Sequence, residues 1–159
     1  MDLDILVRRA RLFDISHINK IEKQSFSMPW SFDSLFTDIF LNNLTAYFVA
    51  EVNSEIVAYG GMWMILGEGH ITNIAVKPSY RLHGIGKAIL KKLLETAIKN
   101  GIEMMSLEVR QSNENAIKMY EAAGFIKMGV RRNYYVLPIE HAYIMQKQIE
   151  NLDSELNEA

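Results

Sequence analysis

Arg81-Leu82-His83-Gly84-Ile85-Gly86-Lys87 sets two closely spaced glycines among basic side chains, just after a strand-like run and just before a helical one. A helix N-terminus offers backbone N–H groups without intrahelical partners and the positive end of the helix dipole, so the layout suits a phosphate-like anion. Gly84 and Gly86 lack a Cβ and would let that anion approach the backbone. A loop that only has to turn sharply into a helix would use the same glycines, and spacing alone does not separate the two uses. The segment is not a P-loop, because no Gly-Lys-Ser/Thr follows, nor a dinucleotide fingerprint, because the third glycine is missing. Glu108 is a second candidate. Within Ile102–Arg110 it shares a strand face with Ser106 and Arg110, opposite Leu107 and Val109. Such a carboxylate either sits on a solvated face or lines a cleft, where it could serve as a general base. Tyr120, near Ile117 and Phe125, is either a core aromatic or a proton donor.

The elements that must position these residues follow from hydrophobic period and turn chemistry. Ile5–Ala10 reads as a short strand, and Asp14 as the N-cap of a helix carrying Ile15, Ile18, Ile21 and Phe26. After the loop Ser27-Met28-Pro29-Trp30-Ser31, Ser31 caps a second helix with Leu35, Phe36, Ile39 and Phe40. Thr45–Val52 and Ile56–Leu66 read as a hairpin around Asn53-Ser54-Glu55. A turn at Gly67–Gly69 then leads to a strand His70–Val76 that Pro78 ends. From Gly84 the period turns helical, with Ile85, Ile89, Leu93 and Ala97 in line, and Gly101 closes that helix. A strand Ile102–Arg110, a helix Glu114–Ala123 closed by Gly124, and strands Phe125–Tyr135 and Ala142–Ile149 complete the order β-α-α-β-β-β-α-β-α-β-β. Asn113 is the natural N-cap before Glu114. The pattern predicts one α/β domain over residues 1–150 with a mixed sheet, followed by an acidic, flexible tail over 151–159.

Composition narrows the chemistry. With 159 residues and 49% apolar content the chain can bury one sizeable core, and a net charge of −2 gives no general attraction to nucleic acid or an acidic membrane. Zero cysteine excludes disulfides, thiolate zinc sites and a covalent cysteine intermediate. His17, His70, His83 and His141 have no metal-ligand spacing, so no metal is expected. No apolar run reaches the roughly 20 residues of a membrane helix, and no signal peptide is visible, so a cytoplasmic location is expected.

The order of motifs carries a resemblance. Arg81-Leu82-His83-Gly84-Ile85-Gly86 after Asn73-Ile74-Ala75-Val76 looks like the pyrophosphate loop of the GNAT N-acetyltransferases. Leu107-Glu108-Val109-Arg110, Ser112-Asn113, Tyr120-Glu121 and Gly124-Phe125 follow that family's order. Phe26–Ser31, Gly69–Val76 and Arg131-Arg132-Asn133-Tyr134-Tyr135 resemble, more narrowly, the RimI group of ribosomal-protein-alanine N-acetyltransferases, and the similarity spans about Val7 to Met145. The resemblance implies a single-domain GNAT fold, a mostly antiparallel twisted sheet of about seven strands with four helices. It implies acetyl-CoA as co-substrate, held by the backbone of Ile74, Ala75 and Val76, by Arg81, Leu82, His83, Gly84, Ile85, Gly86 and Lys87, and by Asn113. It further implies Glu108 as proton acceptor, Tyr120 as proton donor to the leaving thiolate, and Trp30, Tyr134 and Tyr135 around the acceptor. The acceptor would be the N-terminal alanine of a ribosomal protein, acetylated in a direct ternary complex by a monomer or weak dimer. Two positions depart from the family: His141 stands where Asp is usual, and Val136–Ile139 is apolar. They keep open a lysine or small-amine acceptor such as a polyamine or antibiotic. Beside the enzymatic readings stands a module that binds acyl-CoA without catalysis.

Overall fold

The computed structural model describes residues 2–150. The chain runs β1 (Ile5–Arg9), α1 (Ile15–Ser25), α2 (Phe32–Phe36), β2 (Thr45–Val52), β3 (Glu55–Ile65), β4 (Glu68–Val76), α3 (Ile85–Lys99), β5 (Met104–Arg110), α4 (Glu114–Ala122), β6 (Ile126–Val136) and β7 (Ile139–Gln148). Hydrogen bonding orders the strands β1-β2-β3-β4-β5-β7-β6. The β4–β5 ladder is parallel, whereas β1–β2, β2–β3, β5–β7 and β6–β7 are antiparallel. This is the mixed, mostly antiparallel seven-stranded sheet with four helices that the sequence predicts.

The chain divides into two compact units. One comprises the residues up to Trp63 together with Thr72–Thr96, the other Met64–Ile71 with the residues from Ala97 on. In the first, α1 turns Ile15, Ile18 and Ile21 onto Leu35, Tyr47, Val49, Ile56, Tyr59 and Ala75. The 2-residue turn between β2 and β3 holds Asn53 and Ser54 at positive φ, the backbone that matches the twist of a tight hairpin. Gly61 is required there, because a Cβ would run into the Tyr47 ring. In the second unit, β5 alternates Met105, Leu107 and Val109 inward, against a core that includes Ile117, Tyr120, Phe125, Ala142 and Met145.

Four local expectations are corrected. Asp14 does not cap α1 through its side chain. Its carboxylate accepts the Arg11 N–H at 2.6 Å and two Arg8 N–H groups at 2.7 and 2.9 Å, so it serves the short 3-10 turn Leu12–Asp14 instead. Phe26 lies just past α1 in extended backbone and is partly exposed, because the helix stops one residue earlier. The second turn falls at Leu66-Gly67, both at positive φ, so β4 begins at Glu68 and not at His70. Finally, β7 begins at Ile139, three residues before the expected Ala142. The β6–β7 ladder reaches that far because Tyr135 pairs with Glu140 and Val136 with Ile139. The caps hold as expected: Ser31 Oγ accepts the Ser34 N–H at 3.1 Å and Asn113 Oδ1 the Ala116 N–H at 3.3 Å. The tail expected over 151–159 lies outside the described residues.

Candidate active site

The glycine loop, in the first unit, has the form an anion site needs. Gly84 sits at φ +79° with open space where a Cβ would point, and Leu82 is also left-handed at φ +64°. The first amide here with a backbone acceptor is that of Ala88, bonded to Gly84 O at 3.1 Å. The amides from Leu82 to Lys87 therefore remain unpaired among the described residues and gather at the start of α3, where the helix dipole is positive. Arg81 braces the loop, its Nε donating to Val76 O at 3.2 Å, and the His83 imidazole folds back onto Arg81 O at 2.7 Å. His83 thereby stiffens the turn. Upstream, the β4–β5 ladder is recorded from Glu68–Met104 to His70–Ser106 and stops before Ile74, Ala75 and Val76.

Trp30 belongs to a second feature of this unit. A buried carboxylate, Glu22, accepts the Trp30 backbone N–H at 3.0 Å, the Tyr59 hydroxyl and, at 3.4 Å, the Asn73 amide. Burial and the Glu22 charge push the Tyr59 phenol well up, which keeps it a donor. Glu22 thus pins the loop between α1 and α2 through three donors from three segments. A concave surface beside that loop is lined by Trp30, Asp33, Ser34, Thr37, Asp38 and Trp63. Asp38 is itself saturated by Tyr47 Oη, by Trp63 Nε1 at 3.0 Å and by Asn42 Nδ2 at 3.2 Å.

In the second unit Glu108 is recessed, its side chain 10% exposed, and both of its oxygens are held. His70 Nε2 lies 2.9 Å from Oε2, and Arg131 Nε lies 3.2 Å from Oε1. The hydrogen bond from His70, helped by the Arg131 charge, outweighs burial and holds this carboxyl below its ordinary range, so it is ionised at neutral pH. Glu108 is thus recessed and held by two partners and does not stand on a freely solvated face. Arg131 enters the sequence reading only within Arg131-Arg132-Asn133-Tyr134-Tyr135 and His70 only as a histidine without metal-ligand spacing, and nothing local separates His70 from Thr72 and Asn73 on the same strand.

Tyr120 is buried and packs edge-on to Phe125 at 5.7 Å between ring centroids. Burial, with the nearby Tyr135, pushes its phenol well above the ordinary value. It is therefore a reluctant acid in the bare protein and serves the core as well. Tyr134 and Tyr135 meet edge-to-face at 5.0 Å, and the Arg110 guanidinium lies 4.2 Å over the Tyr135 ring. Burial raises the Tyr135 phenol to about 12.

Two irregularities in β6 create this arrangement. Arg131 pairs with Ala142 and Tyr135 with Glu140, so four steps on β6 match two on β7, and Asn133 at φ +52° absorbs the excess. His141 Nδ1 accepts the Asn133 N–H at 2.9 Å and so secures the bulge. Glu140 accepts the Ser112 N–H at 2.6 Å, the Ser112 hydroxyl at 2.9 Å and Arg110 Nη1 at 3.2 Å, which ties the turn before α4 to β7. Those hydrogen bonds from Ser112 lower the Glu140 carboxyl. Asn113, at the end of that turn, caps α4. Among the described residues no group of three or more His, Cys, Asp or Glu side chains could hold a metal, and no helix is long and apolar enough to cross a membrane.

Comparison with known proteins agrees with this geometry. The sequence profile described as Acetyltransferase (GNAT) family matches residues 14–125. A Bacillus subtilis protein provisionally named a [ribosomal protein bS18]-alanine N-acetyltransferase is 37% identical over 139 residues, 87% of this chain and 92% of that one. The [ribosomal protein bS18]-alanine N-acetyltransferase of Escherichia coli K12 is 36% identical over 125 residues, 77% of this chain and 81% of that one. The crystal structure of the ribosomal-protein-S18-alanine N-acetyltransferase from Escherichia coli superposes with a TM-score of 0.85 at 31% identity, covering 92% of this chain and 95% of that one. The matches in sequence and in fold run across most of the chain, which belongs to the GNAT acetyltransferase family.

Proposed function

We propose that this enzyme acetylates the α-amine of the N-terminal alanine of ribosomal protein bS18, using acetyl-CoA, in the cytoplasm. The observation that carries the reading is the E. coli bS18-alanine N-acetyltransferase, which matches along 92% of this chain in fold and stays above 30% in identity. The free amides from Leu82 to Lys87, with the open side of Gly84, suit the pyrophosphate of the co-substrate. Ile74, Ala75 and Val76, which lie beyond the recorded end of the β4–β5 ladder, suit its pantetheine arm, and Asn113 is a further polar candidate. Acetyl-CoA supplies an activated thioester.

The rest is done by side chains of this protein. Glu108 takes a proton from the acceptor ammonium, whose ordinary pKa of about 8 lies well below that of a lysine, about 10.4. As the new C–N bond forms and the C–S bond breaks, Tyr120 gives its hydroxyl proton to the departing sulfur, and the second proton shed by the nitrogen restores the Tyr120 phenol by way of solvent. Its raised pKa makes that transfer depend on close placement, and its hydroxyl has no competing hydrogen bond among the described residues. Transfer is direct, in keeping with a chain that has no cysteine. Trp30, on the loop that Glu22 pins, is the acceptor-side aromatic of the first unit, and the Tyr134–Tyr135 pair supplies those of the second.

The test is acetyl-CoA-dependent CoA release with a short basic peptide beginning in alanine, beside the same peptide with a blocked N-terminus and a panel of polyamines. Turnover on the free N-terminus alone is the expected result. Turnover on the blocked peptide or on polyamines would keep the acetyltransferase and replace the acceptor.

A further inference from the structure

Ser106, His70 and Glu108 form one hydrogen-bonded line. Ser106 Oγ lies 3.0 Å from His70 Nδ1, and His70 Nε2 lies 2.9 Å from Glu108 Oε2. The line exists because β4 and β5 pair in parallel with His70 opposite Ser106, which sets the imidazole edge beside the next residue on that face, Glu108. Serine on one nitrogen fixes the ring, and the ring fixes one carboxylate oxygen. Arg131, reaching from β6, fixes the other. Resting on the proposal that Glu108 receives the acceptor proton, we infer that His70 is a positioning residue for that carboxylate and sets how readily it accepts a proton.

The argument is one of charge and geometry. Glu108 faces two donors of different kind. Arg131 brings a guanidinium to one oxygen, and the His70 ring, held by Ser106, brings an N–H to the other. Hydrogen bonds to the charged form of a carboxylate both orient it and set its basicity, so the two donors fix where Glu108 points and how readily it takes a proton. The charged and titratable groups facing this pair are Glu108 with neutral Ser106 on β5, and Arg131 with Tyr134 on β6, while β7 offers Ile144 opposite Glu108. The imidazole is 35% exposed, so it exchanges protons with solvent while the carboxylate stays recessed. The reaction balances as before: the ammonium proton goes to Glu108, then to solvent, and His70 ends in the state in which it began.

Four enzymes are compared on the Ala-initiated peptide from pH 6 to 9: H70A, H70Q, E108Q and the double variant E108Q/H70A. The glutamine amide can still donate to Glu108 but cannot titrate. Expected are a drop in kcat of about tenfold for H70A at unchanged KM for acetyl-CoA, and recovery of most of that loss in H70Q. The double variant should be no slower than E108Q. Parental rate and pH profile in H70A, with E108Q slow, would overturn the role of His70 alone. Equal impairment of H70A and H70Q, with lowered thermal stability and raised KM for both substrates, would reduce His70 to a structural residue and also overturn it. Parental rates in E108Q would remove Glu108 as proton acceptor, and the role of His70 with it.

Discussion

In the first unit, beyond the Arg8–Asp14–Glu51 group at β1, the recessed carboxylates are met by neutral donors. Glu22 takes Tyr59, Asn73 and the Trp30 amide, and Asp38 takes Tyr47, Trp63 and Asn42. In the second unit Glu108 is met by His70 and Arg131, and Glu140 by Arg110 with Ser112. Neutral donors hold a buried carboxylate in place without a charge that salt or pH can remove. Cationic partners at a half-open site hold it too, but leave it coupled to protons. Glu22 is buried among neutral donors and belongs to the frame, and under the proposed function Glu108, beside His70 and Arg131, belongs to the chemistry.

Substitutions can break that comparison, and the largest effect is expected at Glu108. Glu108→Gln should lower kcat by about 10²-fold or more, roughly 2.7 kcal/mol of barrier, with little change in Tm or in acetyl-CoA affinity by calorimetry. Glu22→Ala should do the reverse. It strands the Tyr59 hydroxyl, the Asn73 amide and the Trp30 N–H, at about 1 kcal/mol each, so thermal melting should show a loss of roughly 2–3 kcal/mol. An unchanged Tm would place Glu22 outside the frame. Gly84→Val puts a branched side chain at φ +79° and over the free amides. The KM for acetyl-CoA should rise about tenfold while peptide KM holds, and equal affinity would remove the loop as the anion site. Tyr120→Phe keeps the edge-on packing with Phe125, so kcat should fall several-fold, to within about 1 kcal/mol, at parental Tm. A large Tm loss instead would assign Tyr120 to the core alone. The smallest effect concerns acid. The Glu108 carboxyl is lowered on folding, so the stability it adds is present above its ordinary value of 4.5 and is lost as pH falls through its lower folded value. Melting curves below pH 4.5 should therefore fall less steeply for E108Q than for the parent.

The parts legible in the sequence are those with a local rule. The line Ile85, Ile89, Leu93 and Ala97 is buried along α3, the β5 alternation puts Glu108 opposite Leu107 and Val109, and Ser31 and Asn113 cap as their neighbours predict. What was hidden depends on partners far along the chain. Asp14 looks like a cap until Arg8 is known to reach it across the turn. His70 meets Glu108 only through the parallel register of β4 and β5, which no local spacing encodes. On a regular strand Arg131 would fall on the face of Lys127, and it comes into reach because the break between Lys127 and Gly129 resets the alternation, pairing Gly129 with Ile144 and Arg131 with Ala142.

That bulge has a further effect. β6 is the last strand of the sheet and carries Ile126, Met128, Val130 and Val136 exposed, a composition that would invite another chain to add itself along the open side. Its pairing with β7 is broken twice, between Lys127 and Gly129 and again between Arg131 and Tyr135. No long flat run of free backbone groups is left for a neighbour to copy. A broken edge of this kind works against edge-to-edge aggregation, and shortening the strand by its surplus residues should lower solubility at high concentration.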